Sequence, residues 1–573
     1  MLTTPFVPRS YLPATVDLTD LAALGTLFDR LDADLAAAKT VAGLEGWLDH
    51  YGEAESALDQ ARTERYIAMT CQTDDPEREK AYMTFVEVVD PWLKPREFAL
   101  GQALVAHPAW EALPGYYAVF RRSVETGVKL YREKNVARQT EEAKLCQGYQ
   151  KISGAMTVQF DGKETTLAQM GRVQEETDRA RREAAWKLVA ARRLADKEQL
   201  ERIYDDLLAL RGEIAKEAGF ADYRAYIFEA RERFDYTPDD CLKFHDAIEK
   251  QIVPLVRQLQ EERRQKLGVD KLRPWDLAVD AEARPPLKPF ATGKELFDKT
   301  DAIFAEIDPR LREFFAVLKD GGLIDLENRK GKAPGGYQSN LAEARVPFIF
   351  MNSVGMQRDV ETLLHEAGHA FHSLACRTQR LHSYRGGIPL EFCEVASMSM
   401  ELLGAPYLEK FYSHEEANRA RRDHLEGILK FFPWMAIVDG FQHWIYTHPG
   451  HTRAERRAAW LGLLDRFGGA ESWDGLGDLA EARACMWHRQ LHIFEVPFYY
   501  VEYGIAQLGA LQVWTQSLQN RATALDGYLN GLKQGGAKPL PELFAAAGIA
   551  FDFTEKTIAP LIGKVREELA KDA

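Results

Sequence analysis

Residues 360–374 read Val-Glu-Thr-Leu-Leu-His-Glu-Ala-Gly-His-Ala-Phe-His-Ser-Leu. On a helical wheel that advances about 100° per residue from Val360, most of the apolar side chains fall within about 60° of zero. His365, His369 and His372 fall on the opposite side, at about 140°, 180° and 120°. A solvent-facing side would normally carry Lys, Glu or Gln. The pattern therefore predicts an amphipathic helix whose histidines face a polar cleft, with an exposed histidine-rich helix as the alternative.

Two of these histidines are four residues apart with a glutamate between them, in the pattern H-E-x-x-H. Residues i and i+4 share one helix face about one turn apart, so the imidazoles of His365 and His369 can reach one Zn²⁺. Glu366 is then placed to accept a proton from a water molecule that the ion activates. The motif predicts a zinc-dependent hydrolase.

A catalytic zinc site usually has three protein ligands and one open position. His372 lies about 10.5 Å along the helix axis from His365, at about 1.5 Å per residue, so we expect it to be a hydrogen-bonding neighbour. Two familiar spacings for the third ligand fail, because Ala375, Ile388 and Pro389 stand where a histidine or a glutamate is needed. The third ligand must come from another segment.

Residues 389–403 read Pro-Leu-Glu-Phe-Cys-Glu-Val-Ala-Ser-Met-Ser-Met-Glu-Leu-Leu and predict a second helix. On its wheel Glu391, Glu394 and Glu401 share an arc of about 80°, opposite the apolar side. A carboxylate from this row would complete a His₂Glu ligand set, and the wheel alone does not choose among the three. A solvated acidic face is the alternative.

The composition is that of a large globular protein. The 573 residues include 73 Lys+Arg and 87 Asp+Glu, which gives a net charge of -14, and 46% are hydrophobic. This acidic balance argues against nucleic acid or an anionic membrane as a partner, since both require a basic surface. No membrane span and no signal peptide are expected, and six scattered cysteines without a C-x-x-C pair are typical of a reduced, cytoplasmic protein.

Most of the chain predicts helices, with apolar residues three and four apart over 17–150 and again over 177–219. Asp161-Gly162 between β-prone runs predicts a hairpin over 156–167. Residues 268–293 and 325–340 are rich in Pro, Gly and charge and predict irregular connectors. The predicted fold class is mostly α with a few short strands.

Residues 345–352, Arg-Val-Pro-Phe-Ile-Phe-Met-Asn, are the best candidate for a strand in the second half. Pro347 lacks a backbone N–H, so we expect an edge strand. An extended peptide could pair with such an edge, and a shielded edge without a ligand is the alternative.

Residues 359–372, together with Phe392-Cys-Glu-Val-Ala-Ser397, resemble the oligoendopeptidase F branch of the thimet-type oligopeptidases, a family of zinc peptidases. In that family a glutamate follows the second histidine by the 25 residues that separate His369 from Glu394, and this selects Glu394 as the third ligand. The resemblance covers nearly the whole chain, with further motifs at 160–164, 218–223, 331–337 and 540–544.

The resemblance implies a helical, clam-like fold whose two halves enclose a deep channel, with a few short strands near the active site. It divides the chain into a helical region with a small hairpin at 1–190 and a catalytic region at 191–573. His492, Tyr500 and Tyr503 are implied to bind the carbonyl of the bond to be cut, and the choice between Tyr499 and Tyr500 stays open.

The sequence thus predicts an endopeptidase that hydrolyses internal bonds of short, unstructured peptides and holds one zinc ion per chain. His365, His369 and Glu394 are the predicted metal ligands, and Glu366 is the predicted general base. The residues expected to contact substrate are Gly335, Gly336, Tyr337 and Phe348. Glu361 and Glu401 are each expected either to orient a ligand histidine or to form a solvent salt bridge.

Three other functions fit parts of the sequence. A peptide-binding, chaperone-like protein could keep zinc without turnover, although it would not need Glu366. A purely structural zinc site is less well matched, because such sites favour four cysteine or histidine ligands. A thiol enzyme would use Cys376 or Cys393, but a free cysteine is more often simply buried. The sequence leaves open the cleavage preference, the oligomeric state and whether Co²⁺ or Mn²⁺ replaces zinc.

Overall fold

The structure is a computed structural model that describes residues 4–329, 331–333 and 335–571. Most of these residues are helical, which confirms the predicted fold class. Residues 330 and 334, within the connector predicted at 325–340, lie outside the described part, as do residues 1–3 and 572–573 at the ends of the two predicted regions.

The helices follow one another along the whole described chain. Those before residue 235 are α1 (Leu21–Ala37), α2 (Val41–Cys71), α3 (Pro76–Thr84), α4 (Asp90–Val105), α5 (Ala118–Leu130), α6 (Glu133–Gly154), α7 (Leu167–Val173), α8 (Arg179–Ala195), α9 (Lys197–Glu217) and α10 (Tyr223–Ala230). The middle of the chain forms α11 (Pro238–Gln251), α12 (Val253–Lys266), α13 (Gly293–Ile307), α14 (Pro309–Asp320), α15 (Gln357–Ala375), α16 (His382–Gly386), α17 (Leu390–Gly404) and α18 (His414–Thr447). The last part forms α19 (Arg453–Phe467), α20 (Glu481–Ala484), α21 (Leu491–Glu495), α22 (Tyr500–Gln519), α23 (Arg521–Lys533), α24 (Leu540–Ala546) and α25 (Glu555–Lys571).

The predicted hairpin is present as β1 (Thr157–Phe160) and β2 (Lys163–Thr166), paired antiparallel. Asp161 and Gly162 both adopt positive φ, at 51° and 73°. Two consecutive residues with positive φ match the right-handed twist of a hairpin, which is why Asp-Gly is favoured there.

A three-stranded sheet lies beside α15. Its strands are β3 (Ile324–Glu327), β4 (Tyr337–Leu341) and β5 (Val346–Ser353), in the order β3-β5-β4. β5 pairs with β3 in parallel and with β4 antiparallel. The prediction that this strand lies at an edge is therefore wrong.

Pro347 is tolerated in the central strand because of where β3 begins. Ile349 donates its backbone N–H to Leu323, at 2.9 Å, and pairs with the first residue of β3. Successive N–H groups of a strand point to alternate sides, so position 347 faces the same side as Ile349, beyond the start of β3. The missing N–H of Pro347 costs no ladder hydrogen bond.

Three apolar clusters form the interior. The main cluster extends from Ile67 to Leu569, a second joins residues 11–120 to Leu381, Tyr384 and Ala537, and a small third one lies beneath the hairpin. The boundary predicted between 190 and 191 falls inside α8 and stays a prediction. None of the helices in the described part combines the length and apolar composition needed to cross a bilayer.

α15 is the helix that the opening sequence predicts. Asp359 accepts hydrogen bonds from the backbone N–H groups of Val354 and Met356, at 2.8 and 2.9 Å, and these satisfy donors at the helix start. The predicted apolar side chains are each at most 2% exposed, which confirms the wheel: Leu363, Leu364, Ala367, Phe371 and Leu374.

α15 and α17 cross at Gly368. A Cβ atom added there would lie 2.5 Å from Ser397 Cα and 2.6 Å from the Ala396 carbonyl oxygen, so no side chain fits. α17 is also braced by α23, whose Tyr528 hydroxyl donates to the same Ala396 carbonyl at 2.9 Å. The backbones of the two helices are thus in direct contact.

We expect Gly368→Ala to destabilise the protein by about 1–3 kcal/mol, because the added methyl group forces the crossing apart. The measurement is the thermal unfolding midpoint. Gly427→Ala is the matched control, since its Cβ would meet nothing within 4 Å in the exposed part of α18. That control should gain about 0.5–1 kcal/mol from helix propensity. Equal stability of Gly368→Ala and wild type would show that the crossing can relax.

Candidate active site

The three predicted metal ligands meet where α15 crosses α17. Nε2 of His365 lies 3.3 Å from Oε2 of Glu394, and Nε2 of His369 lies 3.8 Å from the same oxygen. Their ligand atoms all lie within 4.8 Å of one another. Two imidazoles and one carboxylate are the donor set of many catalytic zinc sites, which leave one coordination position to water or substrate. The side chains present therefore fit one zinc-class ion.

The charges around this group favour a cation. Burial disfavours a charged imidazole at His365, but hydrogen bonds with Glu394 and Glu401 outweigh it and raise the pKa of His365 well above its usual value. Burial lowers the pKa of His369 to about 4, so its imidazole is neutral at pH 7 and offers a free lone pair. A divalent ion can supply the positive charge that the carboxylates stabilise.

Glu401 links His365 to a histidine that the sequence did not reveal. Oε1 of Glu401 lies 2.6 Å from Nδ1 of His365, and its Oε2 lies 2.8 Å from Nε2 of His424 on α18. A carboxylate on Nδ1 fixes the ring so that Nε2 faces the metal position. No single-sequence pattern connects His424 to the motif, because it contacts the ligand only through Glu401.

Three more carboxyl contacts define the neighbourhood. The Ser397 hydroxyl donates to Oε2 of Glu394 at 3.0 Å and holds that ligand in place. Glu361 accepts a hydrogen bond from Gln357, one turn earlier on α15, at 3.0 Å. Glu391 accepts a hydrogen bond from the Tyr236 hydroxyl at 2.7 Å, so it is turned to a different partner from Glu394.

Glu366 is buried between α15 and β4. Burial raises the pKa of its carboxyl to about 7, and Glu394 and Glu401 add to the effect, whereas the charge of His365 and the Gln338 backbone amide oppose it. A carboxylate with a pKa near neutrality can both accept and return a proton. Gln338 belongs to β4, so this edge strand faces the candidate base.

His492 of α21 lies in a cluster with the three candidate tyrosines. Its ring centre is 4.9 Å from that of Tyr500, 5.8 Å from Tyr499 and 6.0 Å from Tyr503. The structure therefore brings together the segment that the sequence resemblance implied.

The tyrosines differ in which way they face. Burial raises the pKa of Tyr499 and of Tyr503, and the nearby Glu394 carboxylate contributes to both shifts. Tyr500 instead packs against Phe431, with ring centres 5.8 Å apart. Residues four apart share one helix face, whereas the next residue is rotated by about 100°. The Glu394 charge thus reaches Tyr499 and Tyr503, whereas Tyr500 lies against Phe431.

A hydrogen-bond chain fixes the tautomer of His492. Nε1–H of Trp434 donates to Oε1 of Gln490 at 3.1 Å, so the amide nitrogen of Gln490 faces Nδ1 of His492, 2.6 Å away. Nδ1 accepts this bond, and the ring proton is left on Nε2. Burial and the charge of Arg231 lower the pKa of His492 to about 4, which makes it a neutral hydrogen-bond donor.

The segment that carries His492 is anchored to two earlier helices. Arg211 of α9 donates to the Phe494 carbonyl, and the Tyr149 hydroxyl of α6 donates to the His488 carbonyl at 2.9 Å. These bonds fix the position of the segment relative to α9 and α6.

The four predicted substrate contacts fall in different surroundings. Gly335 and Gly336 are exposed. The Tyr337 hydroxyl lies 2.6 Å from the Thr70 hydroxyl, and its ring stacks on Phe350 with centres 4.8 Å apart. Phe348 of β5 is only 4% exposed, so its side chain is part of the hydrophobic core and cannot contact a ligand at the surface.

His372 and the cysteines do not behave as chemistry-bearing groups. Both ring nitrogens of His372 lack a hydrogen-bond partner among the described residues, so the expected hydrogen bond is wrong. Its ring packs edge-on against Phe392 instead, with centres 5.7 Å apart. Burial raises the pKa of Cys376 to about 12 and that of Cys393 well above its usual value, which disfavours a thiolate nucleophile.

Comparisons with known proteins match this chain to peptidases. The family described as peptidase family M3 matches residues 172–561. The oligopeptidase PepF of Bacillus subtilis is 26% identical over 52% of this chain and 44% of its own length. The chromosomal oligoendopeptidase F of Lactococcus lactis subsp. cremoris is 23% identical over 53% of this chain and 50% of its own length. The matches thus span about half the length of these relatives.

Solved structures match over almost the whole chain. A structure of Pz peptidase A with an inhibitor has a TM-score of 0.88 and 30% identity, and the match covers 97% of this chain and 98% of that one. A structure described as an oligoendopeptidase F from Bacillus anthracis has a TM-score of 0.83 and 27% identity, over 97% of both chains.

We expect Glu401→Gln to weaken zinc binding by the His365–His369–Glu394 group about 10–100-fold, since the neutral amide no longer orients His365. Competition with a chelator measures the affinity. Glu361→Gln on the same side of the site is the control and should bind zinc nearly as wild type, because its hydrogen bond is to Gln357. The opposite ranking of the two variants would assign the orienting role to Glu361.

Proposed function

The chain belongs to peptidase family M3, and from this premise we propose that it is a zinc-dependent endopeptidase that cuts internal bonds of short, unstructured peptides. The observation that carries the proposal is the meeting of His365, His369 and Glu394 beside a buried carboxyl, that of Glu366. The preference for short peptides is supported by the names of the relatives, which are oligopeptidases and oligoendopeptidases.

The metal-binding residues define the reaction centre. His365, His369 and Glu394 would hold one zinc ion, which polarises the peptide carbonyl and makes water more acidic when bound. Ser397 and Glu401 keep Glu394 and His365 in orientation, so the ligand geometry does not have to be rebuilt during turnover.

Glu366 is proposed to move the protons. Its carboxylate accepts a proton from the water that attacks the peptide carbonyl, and it later returns a proton to the leaving amine. Burial supports this role, because a pKa of about 7 lies between those of an ordinary carboxylic acid and an amine. Glu366 therefore gains and loses a proton at little cost near neutral pH.

His492 and the tyrosines are proposed to stabilise the negative charge that develops on the carbonyl oxygen. The Gln490 amide leaves the His492 proton on Nε2, where it can be donated to that oxygen. Tyr499 and Tyr503 supply hydroxyl donors from the side that faces Glu394. Removing one such donor typically lowers kcat about 10²–10³-fold.

The edge strand β4 is proposed to hold the substrate backbone. β4 is paired with β5 on one side only, and its Gln338 amide lies near Glu366. An extended peptide that adds to this edge would run past the candidate base. The exposed Gly335 and Gly336 precede the strand and carry no side chain to obstruct a peptide backbone.

The first experiment is incubation of the protein with unstructured peptides of graded length, followed by mass spectrometry of the products. Internal cuts confined to the shorter peptides are expected. Removal of single terminal residues would contradict the endopeptidase assignment, although the protein would still be a peptidase. Bound metal without any cleavage would favour a peptide-binding protein.

We expect Glu366→Gln to lower kcat by about 10²–10⁴-fold and to retain its metal, because the amide cannot accept a proton and the residue is not a ligand. Turnover and metal content are measured on the same preparation. Glu361→Gln is the control from the same helix and should remain active. Wild-type turnover by Glu366→Gln would remove this residue as the base.

A series of Tyr→Phe variants separates the three tyrosines. Phenylalanine at position 499 or 503 should lower kcat about 10²–10³-fold, since each hydroxyl faces Glu394. Phenylalanine at position 500 should leave kcat nearly unchanged. Steady-state kinetics with a cleavable peptide gives the values. A loss confined to Tyr500→Phe would restore the sequence-based choice of Tyr500.

A further inference from the structure

A second group of metal-binding side chains lies between α11 and α18, away from the candidate active site. Each helix contributes two residues four positions apart: Cys241 and His245 from α11, Asp439 and His443 from α18. Residues i and i+4 share one helix face, so each pair presents two donors to the other helix. Asp439 is fifteen residues after His424, about 22 Å further along α18 at about 1.5 Å per residue.

Three of these four side chains converge on one point, and the fourth, His245, lies beside Asp439. The ligand atoms of Cys241, Asp439 and His443 lie within 4.8 Å of one another. Nε2 of His245 is 2.9 Å and Nε2 of His443 is 3.2 Å from Oδ2 of Asp439. All four residues are at most 3% exposed.

The polar atoms at the centre of the group are not satisfied by hydrogen bonds. Both carboxylate oxygens of Asp439, Nε2 of His245 and Nε2 of His443 lack a partner among the described residues. The two nitrogens are close to Oδ2 but lack the alignment that a hydrogen bond requires. Buried polar atoms are nearly always paired, so this group needs a partner.

A simple His-Asp-His hydrogen-bond network is the competing explanation. Such a network would direct both ring N–H groups at the carboxylate, and the geometry of His245 and His443 does not do so. It would also leave the Cys241 thiol without a reason to lie in the same group. A cation among Cys241, Asp439 and His443 satisfies the carboxylate, the His443 nitrogen and the sulfur together.

The group is accessible from the surface. A cavity of about 430 Å³ is lined by His245 and His443, with Arg224 at its wall. Nη1 of Arg224 lies 3.5 Å from Nδ1 of His443, so Nε2 is the nitrogen turned toward Asp439. An ion can therefore reach His443 without unfolding the helices.

We propose that Cys241, Asp439 and His443 bind a second divalent ion of the zinc class, which ties α11 to α18, with His245 beside the Asp439 carboxylate. Sulfur and imidazole donors select zinc-like ions over Mg²⁺ and Ca²⁺. Like the candidate active site, this group offers three protein ligands to a tetrahedral ion and leaves one position open. The chain then holds two ions, one more than the sequence predicted.

Metal counting tests the proposal without reference to activity. Elemental mass spectrometry measures the zinc content. Wild-type protein that has been loaded with zinc and then freed of excess metal should contain two ions per chain. Glu394→Ala and Asp439→Asn should each contain one, and the double variant none. One ion in wild type, with no change in Asp439→Asn, would overturn the proposal.

The absorption spectrum of bound Co²⁺ tests whether the Cys241 thiolate is a metal ligand. This test remains informative if a variant folds poorly. Co²⁺ bound to a thiolate gives a near-ultraviolet charge-transfer band, and only the proposed site contains a cysteine. Glu394→Ala loaded with Co²⁺ should show this band. Cys241→Ser in that background should lose it, whereas Cys393→Ser, a matched change near the active site, should keep it. No band in Glu394→Ala itself would overturn the proposal.

Discussion

The contact between α15 and α17 at Gly368 is the constraint on which the candidate site depends. With no side chain at Gly368, the backbone of one helix lies directly on Ser397 of the other. The distance between the two helix backbones decides whether a carboxylate on α17 can share an ion with histidines on α15. The buried apolar side of α15 fixes the rotation of the helix, and the histidines are thereby turned toward Glu394.

The electrostatics of the site follow from that packing. Bringing α17 against α15 places two carboxylates, Glu394 and Glu401, beside His365 in a buried setting. Burial alone would make the imidazoles neutral, as at His369, and the carboxylates make a positive charge favourable at the same place. The opposing wall uses neutral donors, because His492 is buried near Arg231 and does not carry a charge at pH 7. The two walls of the site thus have different electrostatic character before any ligand binds.

Local patterns predicted the parts of the structure that depend on one helix or one turn. The wheel of α15, the glutamate row of α17 and the Asp161-Gly162 hairpin each rest on residues within one segment. Contacts between distant segments could not be predicted. His424 and Gln490 act through Glu401 and His492, and neither has a motif of its own.

Two predictions from the sequence were wrong for the same reason. Pro347 predicted an edge strand, because the sequence did not reveal that β3 starts beyond its missing N–H. His372 shares the polar side of its helix with the ligand histidines but is covered by Phe392 of α17, so it became a core residue. In both cases the neighbouring element decided the outcome, and the choice between Tyr499 and Tyr500 likewise depends on where α22 lies.

The bond between Tyr528 and the Ala396 carbonyl has a consequence for how the chain is made. Protein synthesis proceeds from the N-terminus, and domains fold as their residues leave the ribosome. α17 is braced by α23, and the His492 segment follows α17 by about a hundred residues, so neither wall can be completed on a shorter nascent chain. Assembly of the candidate site therefore follows the synthesis of α23, and a chain made only as far as α17 holds an incomplete site.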